Sequence, residues 1–295
     1  MKKFYFAFAA LAACALLASC NKENNNKVDD GRIDPSTVAQ EALVAYFPFD
    51  GTAVEAVTGT KASKVGEGVA YTNGRRGQAL QGAANGYLIF DLPNLNKIGS
   101  FSVSAWINQP TIKNDTPPVP CYLSFLNADN FWNDLAISID RRDDDFLTYK
   151  LYWKSEATST QEKPYDVWKA SNGATTAEDG TVTFDWGTAY PANRWSHIVW
   201  SYDGATSEFH AYVNGVDVTP EAYVATVAND NPAGEIKFHE FSQVLINGWR
   251  QVVLENATDE WMGWMNGSMD ELRIYSKGLN AEEAKALYDA EVSQL

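Results

Sequence analysis

The segment WSHIVWSYDGATSEFHAYVNG, residues 195–215, decides the fold class because it contains two strand-like runs joined by turn residues. In an extended chain, side chains two positions apart lie on the same face. One face of the second run is apolar, with Phe209, Ala211 and Val213. Asp203–Gly204 supplies the turn between the runs, and Asn214–Gly215 permits a further tight turn. The segment therefore predicts an antiparallel β-hairpin.

Short segments of the same kind recur through most of the chain. The clearest is FSVSAWIN at 101–108, in which apolar residues share one face and serines line most of the other. Further strands are predicted at 86–90, 121–126, 135–140, 146–153, 181–186 and 243–248. No repeat of fixed period is visible, which disfavours a propeller or a solenoid. Many short strands without an evident interdomain linker indicate a single all-β sandwich domain.

One stretch after the N-terminal region has a helical pattern, NAEEAKALYDAEV at 280–292. Asn280 is placed as the N-cap and Glu283 stands three residues later, as in a capping box. Ala284, Leu287 and Tyr288 form one apolar stripe. We expect a short C-terminal helix that closes an edge or an end of the sandwich.

Residues 1–20, MKKFYFAFAALAACALLASC, combine two lysines, a short apolar stretch and small residues. This pattern is typical of a secretion signal and is too short for a comfortable transmembrane helix. Its end, LASC, resembles the lipobox of bacterial lipoproteins, which implies cleavage before Cys20 and acylation of that cysteine. The alternative is a plain signal peptide that is cut elsewhere. We therefore predict a signal peptide at 1–19, a lipid anchor at Cys20, and a location at the bacterial outer membrane or cell surface.

The segment that follows the signal, 20–38, is polar, rich in asparagine and poor in large apolar residues. Such a segment cannot bury enough surface to offset the entropy of ordering, so we expect a disordered tether before a domain at 39–295. With Cys14 removed and Cys20 acylated, Cys121 has no disulfide partner. The formal net charge of −15 makes nucleic acid an unfavourable partner and favours cations.

Five segments in this order resemble the laminin G-like branch of the concanavalin A-like lectin and glucanase superfamily. They are LVAYFPFDG (43–51), GRRGQALQG (74–82), FSVSAWI (101–107), the hairpin segment 195–215 and NGSMDELRIYSKGLNAEEAKALYD (266–289). The resemblance implies a two-sheet antiparallel jelly-roll sandwich with Trp106 and Trp195 in its interior. It does not imply one activity, because the superfamily includes glycan binders, adhesion modules, glycoside hydrolases and polysaccharide lyases.

The acidic pair Asp270–Glu271 raises the question of catalysis. Neighbouring side chains of a regular strand leave opposite faces, so these two carboxyl groups would not act on one glycosidic bond. The hydrolase branch of the superfamily uses a Glu-x-Asp-x-x-Glu type of pattern, which this sequence lacks. We therefore expect Glu271 in solvent and a protein without catalytic residues.

Asp270 has another possible use, because the resemblance implies a calcium ion between the last long strand and the start of the domain. Asp50 stands at the matching N-terminal position. Calcium takes about six to eight oxygen ligands, so it would join these distant segments. The alternative is that Asp50 is a turn residue before Gly51 and that Asp270 caps a neighbouring loop.

Tryptophan is unusually frequent, with ten in the chain. Four of them fall in predicted loops or at strand ends: Trp132, Trp168, Trp249 and Trp261. Sugars stack their apolar faces on flat rings while polar neighbours bind the hydroxyl groups. We predict these tryptophans, with Arg250 beside Trp249, as ligand-binding residues. The alternative is that they pack beneath the loops.

Other residues with reactive side chains lack a catalytic pattern. His197, His210 and His239 have none of the short spacings of a zinc site, which indicates structural roles. Cys121 is predicted to be a small buried apolar residue. RRDDDF at 141–146 is predicted as a turn with exposed charges.

These observations predict a lipid-anchored, non-catalytic module of the cell envelope that binds a polysaccharide or other glycan, or a surface protein. Two alternatives stay open. One is a glycoside hydrolase or polysaccharide lyase of the same superfamily, and the other is a structural module that binds protein.

Overall fold

Two antiparallel sheets stacked face to face form the molecule in the computed structural model. It describes residues 34–93, 95–112, 119–140, 148–155, 163–166, 174–176, 182–184, 192–219, 234–239, 243–257 and 259–293. The predicted signal, Cys20, Trp168 and the segment 141–146 lie outside these ranges.

The strands are short, as their alternating sequences predict. In the first half of the chain they are β1 Leu43–Phe47, β2 Lys64–Val65, β3 Ala70–Asn73, β4 Gln78–Gln81, β5 Leu88–Asp91, β6 Phe101–Asn108, β7 Val119–Phe125, β8 Leu135–Asp140 and β9 Thr148–Ser155. In the second half they are β10 Lys163–Asp166, β11 Ala174–Thr176, β12 Val182–Phe184, β13 Trp195–Asp203, β14 Glu208–Val213, β15 Val216–Asp217, β16 Gln243–Ile246, β17 Met262–Gly263 and β18 Ser268–Tyr275.

Among the described residues, each main sheet has eight strands. The first has the order β15-β14-β13-β6-β18-β4-β3, and β1 also pairs with β18. The second has the order β10-β9-β8-β7-β16-β5-β2, and β17 pairs with β7 in parallel. β11 and β12 form a separate two-stranded ladder. This arrangement confirms the predicted two-sheet sandwich.

The inner faces of the two sheets form the main core. On β6, every second side chain lies in this core: Phe101, Val103, Ala105 and Ile107. Side chains of β7, β8, β9 and β16 meet them from the second sheet. Each fully buried large apolar side chain contributes about 1.5–3 kcal/mol, so the alternation that predicts the strands also supplies much of the stability.

The outer face of the first sheet is covered by the C-terminal helix and the N-terminal segment. The helices are α1 Arg250–Glu255 and α2 Ala281–Val292, with 3₁₀ turns at Pro35–Thr37, Gln40–Ala42 and Leu95–Lys97. Asn280 and Glu283 form the predicted capping box of α2. Pro35 is buried and Val38 packs in the same cluster as Leu287. Residues before 39 therefore already pack on the domain, because together with α2 they cover the apolar outer face of the first sheet.

Some local predictions differ from the structure. Strands β10 and β11 are not among the strands predicted from the sequence. Helix α1 was not predicted, because its six residues are too few to give a helical period. Trp106 is buried as predicted, whereas Trp195 is half-buried at the end of β13.

Within the described ranges, the helices are all too short or too polar to cross a bilayer.

Candidate functional site

The acidic pair Asp270–Glu271 lies at a β-bulge in β18. The register against β6 shifts between Asp270 and Arg273, and Glu271 has a left-handed φ of 52°. Met269 and Leu272 both enter the main core, although a regular strand would place them on opposite faces. The prediction that Glu271 faces solvent is therefore wrong, since only 2% of it is exposed.

Glu271 is instead part of a buried ionic network on the outer side of the first sheet. Its carboxylate accepts hydrogen bonds from Arg76 Nη1 at 2.7 Å, Arg273 Nη2 at 2.7 Å and Tyr46 Oη at 2.9 Å. Arg273 also pairs with Glu291 of α2. Burial alone would lower the pKa of Arg273, but Glu291 and Glu271 outweigh it and raise that pKa. The network joins β1, β18 and the C-terminal helix.

His197 lies at the margin of this network. Its Nε2 is 2.8 Å from Ser104 Oγ and 3.5 Å from Glu291 Oε2. Burial, assisted by the charge of Arg273, lowers the pKa of His197 to about 3, so the ring is neutral. The acids and the histidine therefore converge beneath α2 in a closed, charge-compensated cluster, where a substrate has no access.

Asp50 and Asp270, the two predicted calcium ligands, contact the same loop between β3 and β4. Asp50 Oδ1 accepts from Gln78 N at 2.8 Å, and Asp270 Oδ2 accepts from Arg76 N at 2.8 Å. A Cβ placed on Gly77 would lie 2.1 Å from Asp50 Oδ1, and one on Gly74 would lie 2.5 Å from Asp270 Oδ2. The structure thus brings the two predicted residues to opposite ends of one tight loop.

The chemistry of this pair suits a hard cation. Asp270 is fully buried, and its two oxygens accept hydrogen bonds from the backbone amides of Arg76 and Glu271. Burial raises the pKa of Asp270 to about 8, against the amide of Arg76, which lowers it. No group of three or more histidine, cysteine or acidic side chains suited to a metal occurs in the described part of the chain. A calcium ion here would therefore take its further oxygens from backbone carbonyls and water.

Three of the four predicted ligand-binding tryptophans come together on the outer side of the second sheet. The ring centroids of Trp249 and Trp261 are 5.1 Å apart, and Trp132 lies 5.8 Å from Trp249 and 6.0 Å from Trp261. Phe131 stands 4.9 Å from Trp132. Loop 127–134 and the segment around α1 thus build one aromatic cluster.

Trp249 and Arg250 are the buried members of this site rather than surface groups. Trp249 is 1% exposed and its Nε1 donates to Val119 O at 2.7 Å. Arg250 donates to Asn133 Oδ1 at 3.0 Å and pairs with Glu255. The expected direct contact with a ligand is therefore not available to them in this structure. They support the aromatic cluster from within, since Trp249 is the N-cap of α1 and Arg250 is its first residue.

The surface of the cluster consists of Phe131, Trp132 and Trp261, which we call the aromatic surface. Phe131 is 45% exposed, and the two tryptophans are half-buried. Tyr152 approaches from β9, with its ring 6.2 Å from Trp132. An exposed phenylalanine on two half-buried indoles is an apolar platform open to solvent.

Two buried polar atoms adjoin the aromatic surface without a partner among the described residues, Asn133 Nδ2 and Gln251 Oε1. Gln251 Nε2 donates to Phe131 O at 2.6 Å, so both residues are attached to the loop that carries the rings. Buried polar groups usually have partners, and an unpaired one is a place for water or a ligand group.

Sequence reasoning missed Phe131, Tyr152, Asn133 and Gln251. The signal for Phe131 was available, because an adjacent Phe-Trp pair flanked by Asn and Asp is an unusual composition for a loop. The signal for the others was absent, since Tyr152 fits an ordinary strand pattern. Their roles follow from non-local contacts between the loop, β9 and α1.

The remaining reactive side chains have structural surroundings. Cys121 is buried as predicted, and burial raises the pKa of its thiol to about 11. His210 Nδ1 lies 2.8 Å from Asp217 Oδ2 at the sheet edge, and this hydrogen bond raises the pKa of His210.

The sandwich of two antiparallel sheets is the fold of the concanavalin A-like class of domains. Residues 81–285 match the laminin G family described as "Concanavalin A-like lectin/glucanases superfamily", and the chain belongs to this superfamily. A search of curated proteins found no match in sequence.

Solved structures of toxin binding domains have a similar fold. The binding domain of Paraclostridial Mosquitocidal Protein 1 has a TM-score of 0.54 and 16% identity, over 85% of this chain and 52% of its own. The binding domain of Botulinum Neurotoxin DC in complex with SialylT has a TM-score of 0.52 and 13% identity, over 86% and 52%. The same toxin domain with rat synaptotagmin II gives 0.50 and 12%, over 86% and 52%. The chain thus spans about half of each of these structures, and the likeness concerns the fold.

Proposed function

We propose that this domain is a non-catalytic module that binds a glycan on the aromatic surface of Phe131, Trp132 and Trp261. The observation that carries the proposal is an exposed phenyl ring packed against two half-buried indoles. Sugar rings present apolar C–H faces to aromatic rings, while their hydroxyl groups need nearby hydrogen-bond partners. The aromatic surface offers the rings, and the exposed side chains of Asp129 and Glu260, close to it in sequence, offer acceptors.

The buried ionic network supports a module without catalysis. A glycosidase needs two carboxyl groups open to substrate at about 5 Å or about 6.5–9.5 Å. Glu271 and Glu291 are closed from solvent and compensated by Arg273. In toxin domains of this fold, the bound molecules named are SialylT and rat synaptotagmin II, so a protein ligand is the competing proposal.

Retardation of the full chain in gels that contain single polysaccharides tests the proposal. We expect retention by at least one polysaccharide without release of reducing or unsaturated ends. Phe131→Ala should weaken retention at least fivefold, because it removes the exposed ring. Release of sugar ends would establish an enzyme instead, and retention by none of a broad panel would favour a protein partner.

Val216→Ala is the matched control, because Val216 is also an exposed apolar side chain but lies in β15 of the other sheet. This variant should bind as the wild type does. Equal loss in both variants would contradict the aromatic surface as the binding site.

We also propose that a calcium ion between Asp50 and Asp270 fixes the loop between β3 and β4. The tight loop that both carboxylates contact and the burial of Asp270 support this proposal. The ion would be structural, since the aromatic surface belongs to the other sheet.

The sequence LASC supports a further proposal, that acylated Cys20 attaches the protein to the bacterial outer membrane or cell surface. Cys20→Ser should abolish incorporation of radiolabelled palmitate and release the protein from the membrane fraction. Labelling of the Cys20→Ser variant would contradict the anchor.

A further inference from the structure

We propose that the aromatic surface selects neutral glycans and rejects anionic ones, because acidic side chains border it. This inference rests on the proposed glycan-binding function and specifies its ligand class. The segments 127–134 and 249–262 build the site, and between them they contain five acidic residues and a single basic residue, Arg250.

Three of these acids stand within two residues of the rings in sequence and are exposed. Asp129 stands two residues before Phe131, and Asp259 and Glu260 directly precede Trp261. Because the rings of Phe131 and Trp261 are 6.2 Å apart, the two segments place these carboxylates around one small surface. We call them the acidic rim. An anionic sugar on the rings would lie within about 10 Å, one Debye length, of several like charges.

The single basic residue of these two segments does not offset these charges. Arg250 is buried, and its guanidinium is already bound by Glu255 and by Asn133 Oδ1. A carboxylate or sulfate on the aromatic surface would therefore meet no available cation from these two segments. Proteins that bind such anions ordinarily provide an arginine fork or a lysine for them.

The exposed acids themselves agree with a neutral ligand. The side chains of Asp129, Asp259 and Glu260 are exposed, and a carboxylate accepts hydrogen bonds from sugar hydroxyl groups. A carboxylate or sulfate on the ligand has no donor to offer them.

The test compares one neutral oligosaccharide that retains the full chain with the same oligosaccharide carrying a terminal sialic acid. Binding is measured by calorimetry at 20 mM and 150 mM salt. We expect the sialylated form to bind at least tenfold more weakly at 20 mM salt, and the difference to shrink at 150 mM salt. In the triple variant Asp129→Asn, Asp259→Asn, Glu260→Gln, the difference should fall to threefold or less.

The control is the triple variant Glu41→Gln, Glu282→Gln, Asp289→Asn, which removes the same charge from exposed positions near the other sheet. Glu283 is left unchanged because it caps α2. This control should keep the tenfold difference. If it reduces the difference as much as the rim variant does, overall charge is responsible and the acidic rim is not.

Equal or tighter binding of the sialylated form by the wild type would overturn the inference alone. Binding of neither sugar class by any member of the panel would overturn the proposed function as well.

Discussion

Trp106 and Glu291 are joined by a hydrogen bond of 2.6 Å from the indole Nε1 to the carboxylate Oε2. This contact links a central strand of the first sheet to the last turn of α2. Glu291 also pairs with Arg273, so one carboxylate satisfies two buried donors. The C-terminal helix is therefore held by a specific polar contact in addition to its apolar stripe.

Glu291→Ala should lower the free energy of unfolding by about 3–5 kcal/mol, because it leaves the buried charge of Arg273 without one of its two partners. Urea unfolding followed by tryptophan fluorescence measures the change. Glu282→Ala, an exposed substitution on the same helix, should change stability by less than about 0.5 kcal/mol. A loss below 1 kcal/mol in Glu291→Ala would show that Glu291 is not needed to compensate Arg273.

His197 should contribute a loss of stability in mild acid. The imidazole of the unfolded chain gains a proton as the pH falls through 6.5, whereas burial keeps the folded one neutral to about 3. At this group the unfolded state thus binds more protons, and its contribution lowers stability by about 2 kcal/mol between pH 8 and pH 5. Asp270, whose pKa burial raises in the folded state, contributes in the opposite direction, so the contribution of His197 is read from a difference between variants. Glu291 and Glu271 favour the charged ring and Arg273 opposes it.

His197→Gln isolates this contribution. The variant should lose about 2 kcal/mol less than the wild type over the same pH range, measured by urea unfolding at each pH. Parallel pH profiles for the two proteins would mean that the histidine is protonated in the folded state.

The strands could be predicted from the sequence because each depends on the local alternation of apolar and polar residues. The bounds of β6 and β8 equal the predicted ones, since their inner faces are apolar without interruption. The bulge in β18 could not be predicted in the same way. It depends on the register between β18 and β6, and that register is set by contacts between residues far apart in sequence.

The bulge also changes the argument about catalysis. The sequence analysis separated Asp270 from Glu271 by assuming a regular strand, whereas the structure buries both outside the main core. A function without catalysis is now supported by Arg273 and α2, which neutralise and cover the acids. Three of the four predicted tryptophans, Trp132, Trp249 and Trp261, lie outside the main core, but which ring is exposed depends on how loop 127–134 folds over α1.

Calcium should raise the melting temperature of the full chain by several degrees when it is present at about 100 times its dissociation constant. Such an excess stabilises a protein by about 2.7 kcal/mol if the ion binds only the folded state. Asp270→Asn should abolish the shift, while Asp289→Asn, an exposed substitution in α2, should keep it. Equal melting temperatures with calcium and with chelator, together with no calcium in the mass spectrum of the native protein, would refute the site.

Gly77→Ala tests how closely the loop between β3 and β4 is fitted to Asp50. Gly77 has a φ of 57°, and its added Cβ would lie 2.1 Å from Asp50 Oδ1. Gly59 has a φ of 75° but nothing within 4 Å of such a Cβ, so Gly59→Ala reports the backbone cost alone, about 1–2 kcal/mol. We expect Gly77→Ala to lose at least about 1 kcal/mol more than Gly59→Ala in urea unfolding, because the carboxylate must move away from the Gln78 amide that it accepts from. Equal losses in the two variants would mean that the Asp50 carboxylate moves aside without lowering the free energy of unfolding. The carboxylate would then not be positioned firmly enough to serve as a metal ligand.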